Sequence, residues 1–153
     1  MTHQIQESAL PLKTPIMDRN ATAVWNGTIK EGKGTLTSKS STLDQTQYSY
    51  KSRFEQGTGT NPEELIAAAH AGCFTMQLTA NLTEAGFDAT ELKSTCTVSL
   101  DSGDITQSRI SVDAQVPKIT REEFEKHLRD AEKNCPVSKL LDTKIEVSFD
   151  FKN

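Results

Sequence analysis

The sequence is poor in the features that would place it in several large functional classes. Its first twenty residues hold no apolar run longer than Ala9-Leu10-Pro11-Leu12, too short for the core of a secretory leader, and no segment reaches the length of a bilayer span. A soluble cytoplasmic protein is therefore expected. Basic residues are not in excess: 17 Lys and Arg stand against 21 acidic residues, a net charge of -4 with both signs interspersed. That balance gives no footprint for nucleic acid. Cysteine is scarce and odd in number, Cys73, Cys96 and Cys135, with no short paired spacing, so neither a secreted disulfide scaffold nor a zinc knuckle fits. A metal site built from three Cys and three His also fails on spacing, because only His70 and Cys73 are close together. In a reducing cytosol any disulfide would be transient and functional.

A chain of 153 residues suffices for one domain, burying roughly 70% of the surface its unfolded form exposes. Residues 1–17 are polar, contain two prolines and show no period, and are expected to be a flexible arm outside a single domain of residues 18–153. Alternation at Ala21, Ala23 and Trp25 predicts a strand. The turn-forming Lys30-Glu-Gly-Lys-Gly34 then leads through a hairpin into a second strand, and a third is expected around Gln47 to Phe54. Asn61, Pro62 and Glu64 form a helix start, an Asn-x-x-Glu variant of the capping box with proline in the first turn. The helix should run to about Ala85 and stop at Gly86.

Leu92, Cys96, Val98 and Leu100 share one strand face, and Ile110, Val112, Ala114 and Val116 share that of the next, with Asp101-Ser-Gly-Asp104 as the turn between them. A second helix opens at Thr120, with Ile119 and Phe124 as a hydrophobic staple, and ends near Cys135 because Pro136 follows. A short further turn of helix over Val137 to Leu141 and a last strand through Ile145, Val147, Phe149 and Phe151 complete an α+β order.

The central helix carries the chemistry. Leu65-Ile-Ala-Ala-Ala-His-Ala-Gly-Cys-Phe-Thr-Met-Gln-Leu78 is apolar on nearly every face and needs cover all round. Its small residues Ala67, Ala68, Ala69, Ala71 and Gly72 would let a second copy approach closely, so a homodimer with paired central helices is expected, the alternative being a monomer that buries the helix between sheet and loops. A thiol attacks as thiolate and needs a cation nearby. The helix dipole has faded by Cys73, about three turns in, which leaves Arg53 as the leading candidate, with Lys51 and His70 as weaker ones. A lone histidine in such a helix is more often a packing or hydrogen-bonding residue. Cys96 reads as a buried core thiol.

Arg53-Phe-Glu, Gly59-Thr-Asn-Pro-Glu-Glu-Leu-Ile, Ala69-His-Ala-Gly-Cys-Phe and Asn134-Cys-Pro-Val-Ser138, in this order and at these separations, resemble the OsmC/Ohr family, and its OsmC branch in particular. The resemblance covers about residues 20 to 152. It implies an OsmC/Ohr-like fold, two antiparallel-type sheets around central helices in an intertwined homodimer. The activity it implies is that of a thiol peroxidase for organic hydroperoxides in stress defence, with hydrogen peroxide a weaker substrate. Cys73 then resembles the peroxidatic cysteine, Cys135 the resolving one, Arg53 the thiolate-stabilising arginine and Glu63 the acid that orients it. No cofactor or metal is implied, only an external dithiol reductant of lipoyl type. Ten residues of helix hold Glu63 and Cys73 roughly 15 Å apart, so they can meet only if two helices pack antiparallel and cross near Ala68. The competing reading is a non-catalytic binding or stress-structural protein of the same fold. Against it stands the presence of Arg53 and Glu63 together with both cysteines.

Overall fold

The computed structural model describes residues 15–153. Residues 1–14 of the expected arm lie outside that range, and residues 15–17 are exposed and without regular structure. Ten elements follow: β1 (Ala21–Asn26), β2 (Lys33–Ser38), β3 (Thr46–Tyr48), α1 (Tyr50–Phe54), α2 (Pro62–Glu84), β4 (Glu91–Asp101), β5 (Asp104–Gln115), α3 (Arg121–Asn134), α4 (Pro136–Leu140) and β6 (Lys144–Lys152). They make two three-stranded sheets, β1-β2-β3 and β4-β5-β6.

The main layer is the second sheet with α2 and α3 packed on it. Ser102 and Gly103 both have positive φ, the backbone a tight β4–β5 turn requires. Strand β5 turns Ser108, Ile110, Val112 and Ala114 inward. Facing them are Phe74, Leu78 and Leu82 of α2 and Phe124, Leu128 and Ala131 of α3, all but sealed from water. Each of the large side chains contributes about 1.5–3 kcal/mol by leaving solvent. Phe124 lies stacked on Phe151 with ring centres 4.9 Å apart, and Ile119 is buried beside it, as the staple predicts. Thr120 caps α3 by accepting the Glu123 amide.

Two expectations need correction. The third strand ends at Tyr48 instead of Phe54, and Tyr50–Phe54 is helix. Ser49 and Ser52 form a reciprocal capping box, a local hydrogen-bonding solution that outweighs the strand-like composition of the segment. The second sheet is mixed rather than antiparallel, because β6 runs parallel to β5. Residues 116–143, with α3 and α4, carry the chain back over the sheet before β6 begins, and such a crossover yields a parallel neighbour.

The first sheet makes only sparse contact with that layer. What ties it down is the loop between α1 and α2. The Thr60 amide donates to the Gln47 carbonyl at 2.9 Å, the Ser52 hydroxyl donates to the Thr60 carbonyl at 2.8 Å, and the Asn61 amide group donates to the Ser52 carbonyl at 3.0 Å. Gly59 makes this possible with φ of 106°, and a Cβ there would collide with the Gln47 carbonyl oxygen. Gly59→Ala is expected to lower stability by at least ~1 kcal/mol, read as a drop in the thermal midpoint, whereas Gly72→Ala, where a Cβ meets open space, is expected to be neutral or stabilising.

Candidate functional site

Helix α2 starts as its sequence dictates. Asn61 accepts the Glu64 amide at 2.8 Å, Pro62 occupies the first turn, and Gly86 follows the C-cap with φ of 88°. The helical period then sorts the side chains. Glu63, His70, Phe74, Leu78 and Leu82 face inward. Ala68, Ala69, Gly72 and Met76 face out, Met76 being 76% exposed. The chain thus covers one side of this helix and leaves the other bare, and full cover was not expected of one chain alone.

Cys73 lies at the border between those two faces, half-buried, while Cys135 is fully buried. Both are reduced. They are neighbours, because the 3.0 Å bond from the Cys135 amide to the Ala131 carbonyl ends α3 there, and α4 packs back on α2. Burial pushes the Cys73 thiol above its ordinary value, the Val137 backbone amide works against the rise, and the adjacent Cys135 thiol adds to it. Among the described residues no positive charge of the same chain offsets the shift. Of the two thiols only Cys73 has a route to solvent.

Arg53 and Glu63 meet at the N-terminal end of α2. Arg53 donates to Glu63 through Nη2 at 2.8 Å and through Nε at 3.2 and 3.3 Å to the two carboxylate oxygens, a forked pairing. The α1–α2 loop described above sets this geometry. Burial pushes the Glu63 carboxyl up, but the Arg53 hydrogen bond, its own backbone bond and the arginine charge together hold it below the usual carboxylate range. The Arg53 guanidinium is raised, chiefly by the Glu63 hydrogen bond, and lies 5.1 Å from the centre of the Phe54 ring. Its side chain remains 40% exposed, so part of its donor fork faces outward. A single chain therefore brings together Cys73 with Cys135 and Arg53 with Glu63, with about 15 Å of helix between the two pairs. The groove of about 540 Å³ between the second sheet and α3, lined by Thr97, Arg109, Arg129 and Glu146 among others, contains neither cysteine.

The site also contains two hydroxyls whose part in it the sequence reading passed over, those of Ser108 and Ser138, both bonded to His70. His70 is sealed from solvent, with Nδ1 2.6 Å from the Ser108 hydroxyl and Nε2 2.8 Å from the Ser138 hydroxyl. Ser108 in turn lies 3.2 Å from the sulfur of Cys96. Cys96 packs against the core, in line with its structural reading, and burial raises its thiol. Burial lowers the His70 pKa, so the ring is neutral near pH 7. Ser108 carried a legible signal: it occupies the inward parity of an otherwise apolar strand face, where a buried hydroxyl must find a partner. Ser138 has no such signal, because its partner lies 68 residues away in sequence.

With this geometry in hand, comparison with known proteins is direct. A model of the OsmC family, described as OsmC-like protein, matches residues 55–150. The chain is 43% identical over 135 residues to Peroxiredoxin OsmC of Escherichia coli (strain K12), an alignment spanning 86% of this chain and 94% of that protein. Among solved structures, the OsmC-like protein of Mycoplasma pneumoniae superposes with a TM-score of 0.72 at 16% identity, covering 90% of this chain and 99% of the other. The organic hydroperoxide resistance protein OhrB of Bacillus subtilis does so with a TM-score of 0.60 at 25% identity, covering 87% and 98%. By sequence and by fold, this chain is a member of the OsmC-like family.

Proposed function

We propose that the protein is a cysteine-based peroxidase that reduces organic hydroperoxides, and hydrogen peroxide more weakly, in oxidative and osmotic stress defence. The observation that carries this reading is the pairing of a half-buried Cys73 with a fully buried Cys135. The names of the relatives, a peroxiredoxin and an organic hydroperoxide resistance protein, point the same way. In the first step the Cys73 thiolate attacks the terminal oxygen of R–O–O–H. The O–O bond breaks, alcohol leaves with a proton, and Cys73 becomes a sulfenic acid. Cys135 then attacks the Cys73 sulfur. The S–O bond breaks, water leaves, and the disulfide holds the two electrons' worth of oxidation until an external dithiol, of lipoyl type as the resemblance implies, returns both thiols. No cofactor or metal enters this cycle.

The first step needs a cation, and among the described residues the thiol's own chain brings none to Cys73. A homodimer in which two α2 helices cross antiparallel near Ala68 would bring the Arg53–Glu63 pair of one protomer to Cys73 of the other. Three features favour this arrangement. The bare α2 face around Ala68, Ala69 and Gly72 is small, Gly72 has open space around it, and Ala68 lies midway between Glu63 and Cys73 on the same helix. The first sheet, with Val24 and Ile29 exposed and few contacts in its own chain, has surface left for a partner. In the arrangement Glu63 aims the guanidinium and Arg53 stabilises the thiolate and polarises the peroxide.

Free-thiol titration and intact mass after one equivalent of cumene hydroperoxide test the cycle. Two thiols should be lost in the wild type, none in Cys73→Ser, and an oxygen adduct should persist in Cys135→Ser. A wild-type protein that keeps all its thiols would favour the non-catalytic binding or structural protein. Arg53→Gln should slow peroxide attack about 10- to 100-fold. It should also move the alkylation profile of Cys73 to higher pH, because removing a cation disfavours the thiolate. Mixed dimers of Arg53→Ala and Cys73→Ser chains, each inactive alone, should regain one working site per dimer, and no recovery would place the arginine and thiol in one chain.

A further inference from the structure

Helices α2 and α4 are joined at two places in the same register. Cys73 neighbours Cys135, and one turn away on each element His70 bonds Ser138. His70 precedes Cys73 by three residues and Ser138 follows Cys135 by three, so the two links lie side by side. The histidine has no freedom to give: its second nitrogen is bonded to Ser108 on β5, at 2.6 Å, and the ring is sealed from water. By contrast, α4 has only five residues, and its N-cap, Cys135, makes no side-chain capping bond. Nothing in apolar packing asks for an imidazole and two hydroxyls at this place. A core needing only to be filled would use a side chain without donors, and avoid the cost of dehydrating four polar atoms.

We infer that His70 and Ser138 form a clamp that holds Cys135 in register with Cys73 in the reduced protein, making both positioning residues for disulfide closure. This rests on the reading above that Cys73 and Cys135 are the redox pair. The clamp does not act on the first step, because neither residue faces the solvent route to Cys73. It acts on the second. With the clamp gone α4 is free to shift, and Cys135 meets the oxidised sulfur less often. Cys73 sulfenic acid then survives longer and a second peroxide molecule can carry it to sulfinic acid, its oxygen transferred to sulfur as water or alcohol leaves.

A small aromatic disulfide, dithiodipyridine at one equivalent, separates the two steps without peroxide. The Cys73 thiolate attacks it and releases the first thiopyridone, giving a mixed disulfide. Cys135 then attacks that bond, releasing the second thiopyridone and closing the intramolecular disulfide. In Ser138→Ala the first release should keep its wild-type rate and the second should slow on the order of tenfold. Ser138→Thr, which keeps the hydroxyl, should restore it. Val116→Ala truncates a fully buried side chain just past the far end of β5, away from the ring. It should lower the thermal midpoint while leaving the second release near the wild-type rate. With excess cumene hydroperoxide, Ser138→Ala should accumulate the sulfinic form of Cys73 at lower peroxide than the wild type. A second release at wild-type rate in Ser138→Ala, or one slowed equally by Val116→Ala, would overturn the clamp. If the wild type releases only one thiopyridone, the thiols are not a redox pair and the clamp falls with that reading. If the wild type closes the disulfide with this reagent yet consumes no hydroperoxide, the peroxidase proposal fails and the clamp stands.

Discussion

The burial of one face of α2 governs everything else in the molecule. His70, Phe74, Leu78 and Leu82 recur at the spacing of a helix turn and fix its rotation against the second sheet. Once that rotation is set, Cys73, one residue before Phe74, has to lie about 100° round the helix from it, at the border of the covered and the open surface. A thiol one position later would be sealed in the core, and one position earlier, at Gly72, it would be fully exposed. Partial shelter with one open side follows from packing alone, before any catalytic group is considered.

Electrostatics divides the site in the opposite sense. Desolvation raises Cys73 and the adjacent Cys135 thiol adds to the rise, while among the described residues the ion pair close to α2 is taken up at the helix start by Glu63. An Arg–carboxylate fork leaves the arginine charged and oriented but spends part of its donor set. The remaining donors on the 40% exposed side chain are what a thiolate from elsewhere would use. In the dimer proposed above, this division makes each protomer half of two sites, so assembly and reactivity become a single property.

Much of this was legible in the residues. The caps of α2 and α3, the staple at Ile119 and Phe124 and the parity of β5 rest on interactions within a few residues of one another, which sequence reports well, whereas the roles of Arg53, Glu63, Cys73 and Cys135 are read through the family resemblance. The misreadings share a cause. The segment after Tyr48 looks extended by composition, but the Ser49–Ser52 box decides it. The direction of β6 depends on how a 28-residue crossover folds over the sheet (residues 116–143), and no local pattern records it. His70 was noticed, yet its bonds to Ser108 and Ser138 span 38 and 68 residues. Long-range polar pairs leave a trace only when one member breaks an apolar pattern, as Ser108 does.

The loose attachment of the first sheet bears on motion. Its three strands share little core with α2, α3 and the second sheet, and the Gln47–Thr60 bond and the Tyr48–Thr60 bridge are the chief stitches at its rim. Segments with few buried contacts open at lower free energy than the core around them. Arg53 is carried on the short helix adjoining that rim, whereas Cys73 is carried on the helix at the centre of the core. The charge and the sulfur therefore sit on segments of unequal core contact, and it is the Arg53–Glu63 fork that fastens the one to the helix carrying the other.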